Sequence, residues 1–150
     1  MMRHGWKIRI CIFLLILNLC FIWGNSMIPA EQSKAISDWV EEILPDLTQS
    51  ADEEEEGFSI YRKIAHLTEF AVLGALLSWL AMLLHKKRRD MLIWGILAAC
   101  TDETIQMFVP ERGPSILDVG IDACGVLLGM VLLQLGYYVV RKICNAHFGG

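Results

Sequence analysis

The chain has 150 residues, of which 55% are hydrophobic, and it carries a formal net charge of −4. This hydrophobic content is too high for an ordinary soluble domain, and the apolar residues are clustered in long runs, which indicates a membrane protein. No basic surface interleaved with aromatic residues points to a nucleic acid partner. The lipid bilayer is therefore the first partner that the sequence predicts.

Four runs are long and apolar enough to be predicted as membrane spans. The first has a basic start and a short apolar core, so a signal anchor and a cleavable signal peptide both fit it, and the anchor is the favoured interpretation. The last run is long enough to tilt across a bilayer. The predicted spans are residues 8–24, 64–84, 91–109 and 116–140.

The loop between the first two spans, residues 25–62, has two predicted parts. Apolar residues recur at helical spacing through residues 30–47, with charged residues between them, which predicts an amphipathic helix. Its polar face is acidic and disfavours anionic lipid, so we expect this helix to cap the bundle. The acidic stretch at residues 48–57 has almost no apolar content and is predicted to be a solvated linker.

Basic residues are clustered before the first span, in the loop after the second and behind the fourth. By the positive-inside rule, these three regions lie in the cytoplasm, and residues 25–62 and 110–115 form extracytoplasmic loops. The predicted fold is a single all-α integral membrane domain over residues 1–150. It is a four-helix transmembrane bundle with an extracytoplasmic amphipathic helix and cytoplasmic termini.

Ionisable residues interrupt the second, third and fourth spans, although a charge at mid-bilayer costs about 2.5–3.5 kcal/mol. Counted at about 1.5 Å per residue, the polar groups fall into two layers near the extracytoplasmic boundary, which predicts one interior cavity open to the outside. The deeper layer, about 9–11 Å below this boundary, comprises Glu69, Asp102 and Asp122, and the shallower layer, about 4–5 Å below it, comprises His66, Gln106 and Asp118.

Helical spacing also places these polar residues on stripes of small residues. Small residues allow helix backbones to approach closely, so we expect both stripes to face other helices rather than lipid. Gly125 and Gly129 form a GxxxG pattern, which is most simply a helix-packing device. The stripe in the fourth span comprises Asp118, Asp122, Gly125, Gly129 and Gly136, and that in the third comprises Gly95, Ala99, Asp102 and Gln106.

The converging polar groups are open to two interpretations, a hydrogen-bonded structural network and a site for a ligand or substrate. A site is favoured because the acidic groups outnumber the cations. Repulsion between close carboxylates favours one that keeps a donatable proton, and an imidazole beside them suits a general base or a metal ligand. The candidate ligand-binding residues are Lys63, His66, Glu69, Asp102, Glu103, Gln106, Arg112, Asp118 and Asp122.

Within this set, His66, Glu69, Asp102 and Asp118 are the candidate catalytic residues. Arg112 lies in the predicted outer hairpin, where its planar guanidinium could hold a phosphate or a carboxylate. A divalent cation is a candidate cofactor because carboxylates and imidazole are suitable ligands, but the residue types do not identify which side chains would bind it.

Two sequence patterns stand out: the second span has K-x-x-H-x-x-E-F over Lys63–Phe70, and Asp102–Asp118 reads D-E-x-x-Q-x-F-V-P-x-R-x-x-S-x-x-D. These motifs resemble those of the VanZ-like family, integral membrane proteins associated with teicoplanin resistance. The resemblance covers roughly residues 8–140. The departures from the family pattern include Asp122, which stands where asparagine is usual, and Glu111, which stands where glycine is common.

The resemblance implies a four-span protein of the bacterial cytoplasmic membrane that is connected with glycopeptide resistance. It does not imply any particular reaction. The leading expectation is an envelope protein that lowers susceptibility to teicoplanin-type lipoglycopeptides. Its outward-facing polar site would bind the drug or a lipid-linked cell-wall precursor.

The alternative expectation is a membrane-embedded hydrolase or transferase acting on a lipid phosphate or wall intermediate. In that case His66 or Asp102 would be the base and Arg112 the phosphate clamp, and the candidate metal ligands are Glu69, Asp118 and Asp122. A proton-coupled transporter is disfavoured because the polar layers end in the outer half of the predicted bundle.

Overall fold

The computed structural model describes residues 2–29, 54–110 and 115–148. The regular secondary structure in these ranges is helical throughout. The predicted amphipathic helix at 30–47 and the predicted linker up to residue 53 lie outside the described residues. The described helices are α1 (Met2–Ser26), α2 (Glu54–Leu84), α3 (Arg88–Gln106) and α4 (Ile116–Phe148).

All four helices extend beyond the predicted spans at one end or both, and α3 (Arg88–Gln106) also ends three residues before its predicted end at residue 109. Helix α1 already begins at Met2, and α4 continues to Phe148. Helix α2 begins at Glu54, inside the stretch that was predicted to be a linker. Glutamate is a good helix former, so this run of glutamates can extend α2 rather than separate it from the preceding loop.

Helices α1, α2 and α4 are long and apolar enough to cross a membrane. Helix α3, with 19 residues, is not, because charged residues occupy both of its ends. It nevertheless packs against the other three helices. The acidic residues Asp102 and Glu103 of α3 are 0% and 6% exposed, so the bundle covers them. That α3 crosses the bilayer as a fourth span stays a prediction.

The outside of the bundle is covered by large apolar side chains, among them Phe13, Trp94 and Val140. The hydroxyls of Thr68 and Thr101 donate to carbonyls one turn earlier, each at 2.8 Å, so the helix backbone satisfies them without water. An apolar surface of this extent, with its polar groups bonded internally, suits a lipid bilayer environment.

Helices α2 and α4 share the most extensive contact in the bundle, and glycines make it possible. A Cβ added to Gly74 would collide with the Val126 carbonyl, and one added to Gly129 would collide with the Ala71 carbonyl. A Cβ on Gly125 would lie 2.6 Å from a carbonyl oxygen of α2. The predicted role of the GxxxG pattern in helix packing is therefore confirmed.

The small-residue stripe of α4 is shorter than predicted. Gly136 is exposed, and a Cβ added to it would meet nothing within 4 Å, so the prediction that it lies on the packed face was wrong. Among the described residues of α4, none beyond Met130 is buried, which means that α4 has separated from its neighbours at the level of Gly136.

All four helices contribute residues to the apolar core. The buried core residues are Cys11, Leu15 and Ile22 of α1, Phe70, Leu73 and Leu77 of α2, Ala98 and Ala99 of α3, and Val126 and Met130 of α4.

Candidate functional site

A small pocket lies at the polar end of the bundle, defined as the end where α1 and α3 finish and α4 begins. The centre of a water molecule has about 10 Å³ available in this pocket, close to the room that one water or one small ion requires. The lining residues are Arg62, Lys63, His66, Glu103, Gln106, Asp118, Ile121 and Asp122.

Six of the nine predicted ligand-binding residues line this pocket. Glu69 and Asp102 do not line it, but both contact residues of the polar end. Arg112 lies outside the described residues, so its predicted role as an anion clamp stays a prediction. The polar end therefore brings together most of the side chains that helical spacing had placed at similar depths.

Three carboxylates form the acidic core of the site, and we call them the acidic triad: Asp102, Glu103 and Asp122. Each has one oxygen within 4.8 Å of an oxygen of the other two, and all three side chains are buried. Asp118 and Glu69 lie close enough to repel a negative charge on Asp122. Carboxylate oxygens at this spacing suit a hard divalent cation or shared protons.

Asp102 is oriented from its own helix. The Gln106 Nε2 donates to Asp102 Oδ2 at 2.8 Å and also lies 3.3 Å from the Ser26 Oγ at the end of α1. Gln106 is 2% exposed, so these hydrogen bonds are shielded from solvent. The amide of Gln106 thus links the acidic triad to α1.

Glu103 connects the end of α3 to the beginning of α4. Its Oε2 accepts a hydrogen bond from the Ser115 backbone N–H at 2.8 Å. The Ser115 Oγ accepts a longer bond, 3.3 Å, from the Asp118 N–H, which is the arrangement of a helix N-cap. These bonds position Glu103 and Asp118 relative to each other across the loop that joins the two helices.

His66 and Glu69 form a second group, one turn apart on α2. The His66 Nδ1 lies 3.5 Å from Glu69 Oε2, and the other carboxylate oxygen, Oε1, accepts a hydrogen bond from the Asn25 Nδ2 at 2.8 Å. The two side chains are 10% and 11% exposed. At 3.5 Å the carboxylate attracts the imidazole electrostatically when the ring is protonated.

Two basic side chains, Arg62 and Lys63, line the pocket. Arg62 Nη2 lies 4.0 Å from Asp118 Oδ2, and their side chains are 25% and 19% exposed. A partly solvated pair at this distance contributes little stability, so the Arg62 guanidinium can exchange its partner for an incoming anion. Lys63 adds a second positive charge to the same wall.

Sequence reasoning missed three contributors to this site. Arg62 is four residues before His66, a spacing that places both on one face of a helix, but it was not counted among the predicted ligand-binding residues. Asn25 and Ser26 follow an apolar run without any polar periodicity of their own, so no pattern could have assigned them. Both became recognisable only once α1 packed beside α2 and α3.

One family model, described as VanZ/LLP1, matches residues 11–137 of the chain. No curated protein and no solved structure matches it. The matched range covers far more than half of the chain and contains every residue that lines the pocket. The chain therefore belongs to the VanZ/LLP1 family.

Proposed function

We propose that this protein lowers bacterial susceptibility to teicoplanin-type lipoglycopeptides by binding the drug, or a lipid-linked cell-wall precursor, at the pocket of the polar end. The observation that carries the proposal is the convergence of cationic, acidic and imidazole groups from α2, α3 and α4 on one pocket of an otherwise apolar bundle. Ionisable groups among membrane helices are expensive to keep and mark functional sites.

The proposed site faces the outside of the cytoplasmic membrane. The turn between α2 and α3, at the opposite end of the bundle, carries the exposed basic residues Lys86, Lys87, Arg88 and Arg89. Because basic loops remain in the cytoplasm, this cluster favours an orientation in which the polar end meets the outer leaflet. Both wall precursors and glycopeptide drugs are present on that side.

The surroundings of the pocket suit an amphiphilic ligand. The pocket has room for a single small group, so the ligand would place one anionic group beside Arg62 and Lys63. Three large apolar side chains at this end, Phe108, Ile116 and Leu117, are 82%, 89% and 73% exposed. They offer a surface on which a lipid chain can lie while its polar end reaches the cations.

The pairing of His66 with Glu69 favours a second candidate function, a hydrolase or transferase for a lipid phosphate. His66 would act as the base, with the Glu69 carboxylate beside its ring to stabilise the protonated imidazole. This candidate requires the purified protein to turn over a lipid phosphate in a reaction that stops with His66→Ala. The binding proposal requires no turnover.

The first test is drug susceptibility in a Gram-positive host that expresses the intact protein or a variant at matched membrane levels. The intact protein is expected to raise the inhibitory concentration of teicoplanin and to leave that of vancomycin unchanged. Arg62→Gln and His66→Ala should abolish the difference, because each removes a charged or imidazole group from the pocket. Arg141→Gln, the same substitution near the far end of α4, is the matched control and should protect fully. Full protection by both pocket variants would contradict the proposal.

A further inference from the structure

The acidic triad is arranged so that each of its three residues can supply one oxygen ligand to a common ion. Asp102, Glu103 and Asp122 are 0%, 6% and 2% exposed, and each offers an oxygen within 4.8 Å of the other two. The ion pair of Arg62 with Asp118 and that of His66 with Glu69 do not include a member of the triad. Three buried carboxylates side by side are costly to keep charged, so a bound cation would stabilise them.

The buried oxygen Asp102 Oδ1 independently indicates a ligand. No described residue forms a hydrogen bond with it, although the side chain is fully buried. Its sister atom Oδ2 is fixed by Gln106 at 2.8 Å, so the carboxylate cannot turn freely to find another donor. A buried acceptor left without a donor costs about 1–3 kcal/mol, more for a charged group, which a bound cation would offset.

Glu103 is also held through one of its two oxygens. The Ser115 N–H donates to Oε2 at 2.8 Å. In metal sites, such outer hydrogen bonds orient the ligand carboxylates and leave one oxygen of each for the ion. Asp102 and Glu103, which are neighbours on α3, are therefore each held through one oxygen, and Asp122 of α4 lies close to both.

We infer that Asp102, Glu103 and Asp122 bind one hard divalent cation, of the class that includes Mn²⁺, Ca²⁺ and Mg²⁺. All three donors are carboxylate oxygens, which this class prefers. Three oxygens within 4.8 Å of one another can surround a Ca²⁺ ion, which lies about 2.3–2.6 Å from its oxygen ligands, with little movement. The inference deepens the proposed function and rests on it, since the ion would complete the same pocket and help to hold an anionic ligand group.

Asp122 provides the sharpest test of the site, because it is the member of the triad that comes from α4 and asparagine has nearly the same size. An asparagine keeps a carbonyl ligand but removes one negative charge, and the number of ligand charges controls the affinity for hard cations. Asp122→Asn is therefore a mild change with a specific expected effect. In the presence of a chelator this variant should be at least as heat-stable as the parent, because one source of carboxylate repulsion is gone.

The test measures binding of Mn²⁺ to the full-length protein in neutral-lipid nanodiscs, from the loss of the paramagnetic signal of free Mn²⁺. The parent should bind one equivalent that excess Ca²⁺ displaces, and Asp122→Asn and Asp102→Asn should each weaken binding at least about tenfold. The matched control replaces a different acidic cluster, Glu53 to Glu56, with glutamine. This variant should still bind one equivalent of Mn²⁺ with the affinity of the parent. Binding that disappears with this control, or that Asp122→Asn leaves at parental affinity, would overturn the inference.

The stability of each variant provides the second measurement. Mn²⁺ should raise the unfolding temperature of the parent, because a ligand stabilises the state that binds it, and should raise that of Asp122→Asn much less. An equal rise of the unfolding temperature in both proteins would also contradict the inferred cation site. If the protein binds Mn²⁺ as expected but gives no protection in the susceptibility test, only the resistance role is rejected. If it protects cells but does not bind Mn²⁺ at the triad, only the cation site is rejected.

Discussion

Gly129→Ala is expected to destabilise the helix bundle by about 3 kcal/mol or more, at the upper end of what overpacking of a tightly packed region costs. The added methyl group would collide with the backbone carbonyl of Ala71. A backbone atom cannot rotate out of the way as a side chain can, so α2 and α4 would have to move apart. The neighbouring close approaches at Gly74 and Gly125 would loosen with them.

The same substitution at Gly136 provides an internal control. Gly136→Ala is on the same helix and would meet nothing within 4 Å, so it should be neutral or slightly stabilising, since alanine is the better helix former. The measurement is the unfolding of each purified variant in mixed micelles with increasing SDS. Equal stability of the two alanine variants would show that α2 and α4 do not pack through their backbones at Gly129.

Gln106→Leu is expected to destabilise the protein by about 3 kcal/mol, because it leaves a buried acidic group without its hydrogen-bond donor. Gln106 donates to Asp102 Oδ2 at 2.8 Å, and Asp102 is fully buried. Leucine has nearly the volume of glutamine, so the loss would come from the missing amide rather than from a cavity. The contact with Ser26 at the end of α1 would disappear at the same time.

Removal of the acid should rescue this loss. In the double variant Asp102→Ala and Gln106→Leu, no carboxylate remains to be satisfied, and paired polar groups that are removed together often cost little. The measurement is a double-mutant cycle for SDS unfolding in the presence of a chelator, which excludes any contribution from bound cations. If Asp102→Ala lowers the stability of the Gln106→Leu variant by as much as it lowers that of the parent, the two residues are not coupled.

Much of the arrangement at the polar end could be predicted because it repeats along single helices. Asp102 and Gln106 are four residues apart, as are Asp118 and Asp122, and this spacing places each pair on one face. Depth counted from the span ends then placed separate helices in register. The proximity of Asp102 and Asp122 agrees with this reasoning, since helical rise and rotation are nearly constant. Glu103 was placed in neither layer and takes the position in the triad that the depth count had given to Glu69.

Contacts that depend on the tertiary arrangement could not be predicted in this way. The bond from Asn25 to Glu69 joins residues 44 positions apart, and that from Gln106 to Ser26 joins residues 80 apart. Helical periodicity within one segment carries no information about such pairs. For the same reason Gly136 appeared to continue the packed stripe, because periodicity cannot show where two helices separate.

The burial of the acidic end of α3 has a consequence for the biogenesis of the protein. On leaving the translocon alone, α3 would present Asp102 and Glu103 to lipid, at about 2.5–3.5 kcal/mol for each charge near mid-bilayer. The N–H group that holds Glu103 belongs to Ser115, immediately before α4, and is synthesised later. We therefore expect α3 to wait for α4 and to enter the bilayer with it as a hairpin, beside an α2 that is already in place. A ribosome stalled before α4 would leave α3 outside the membrane, where proteases could reach it.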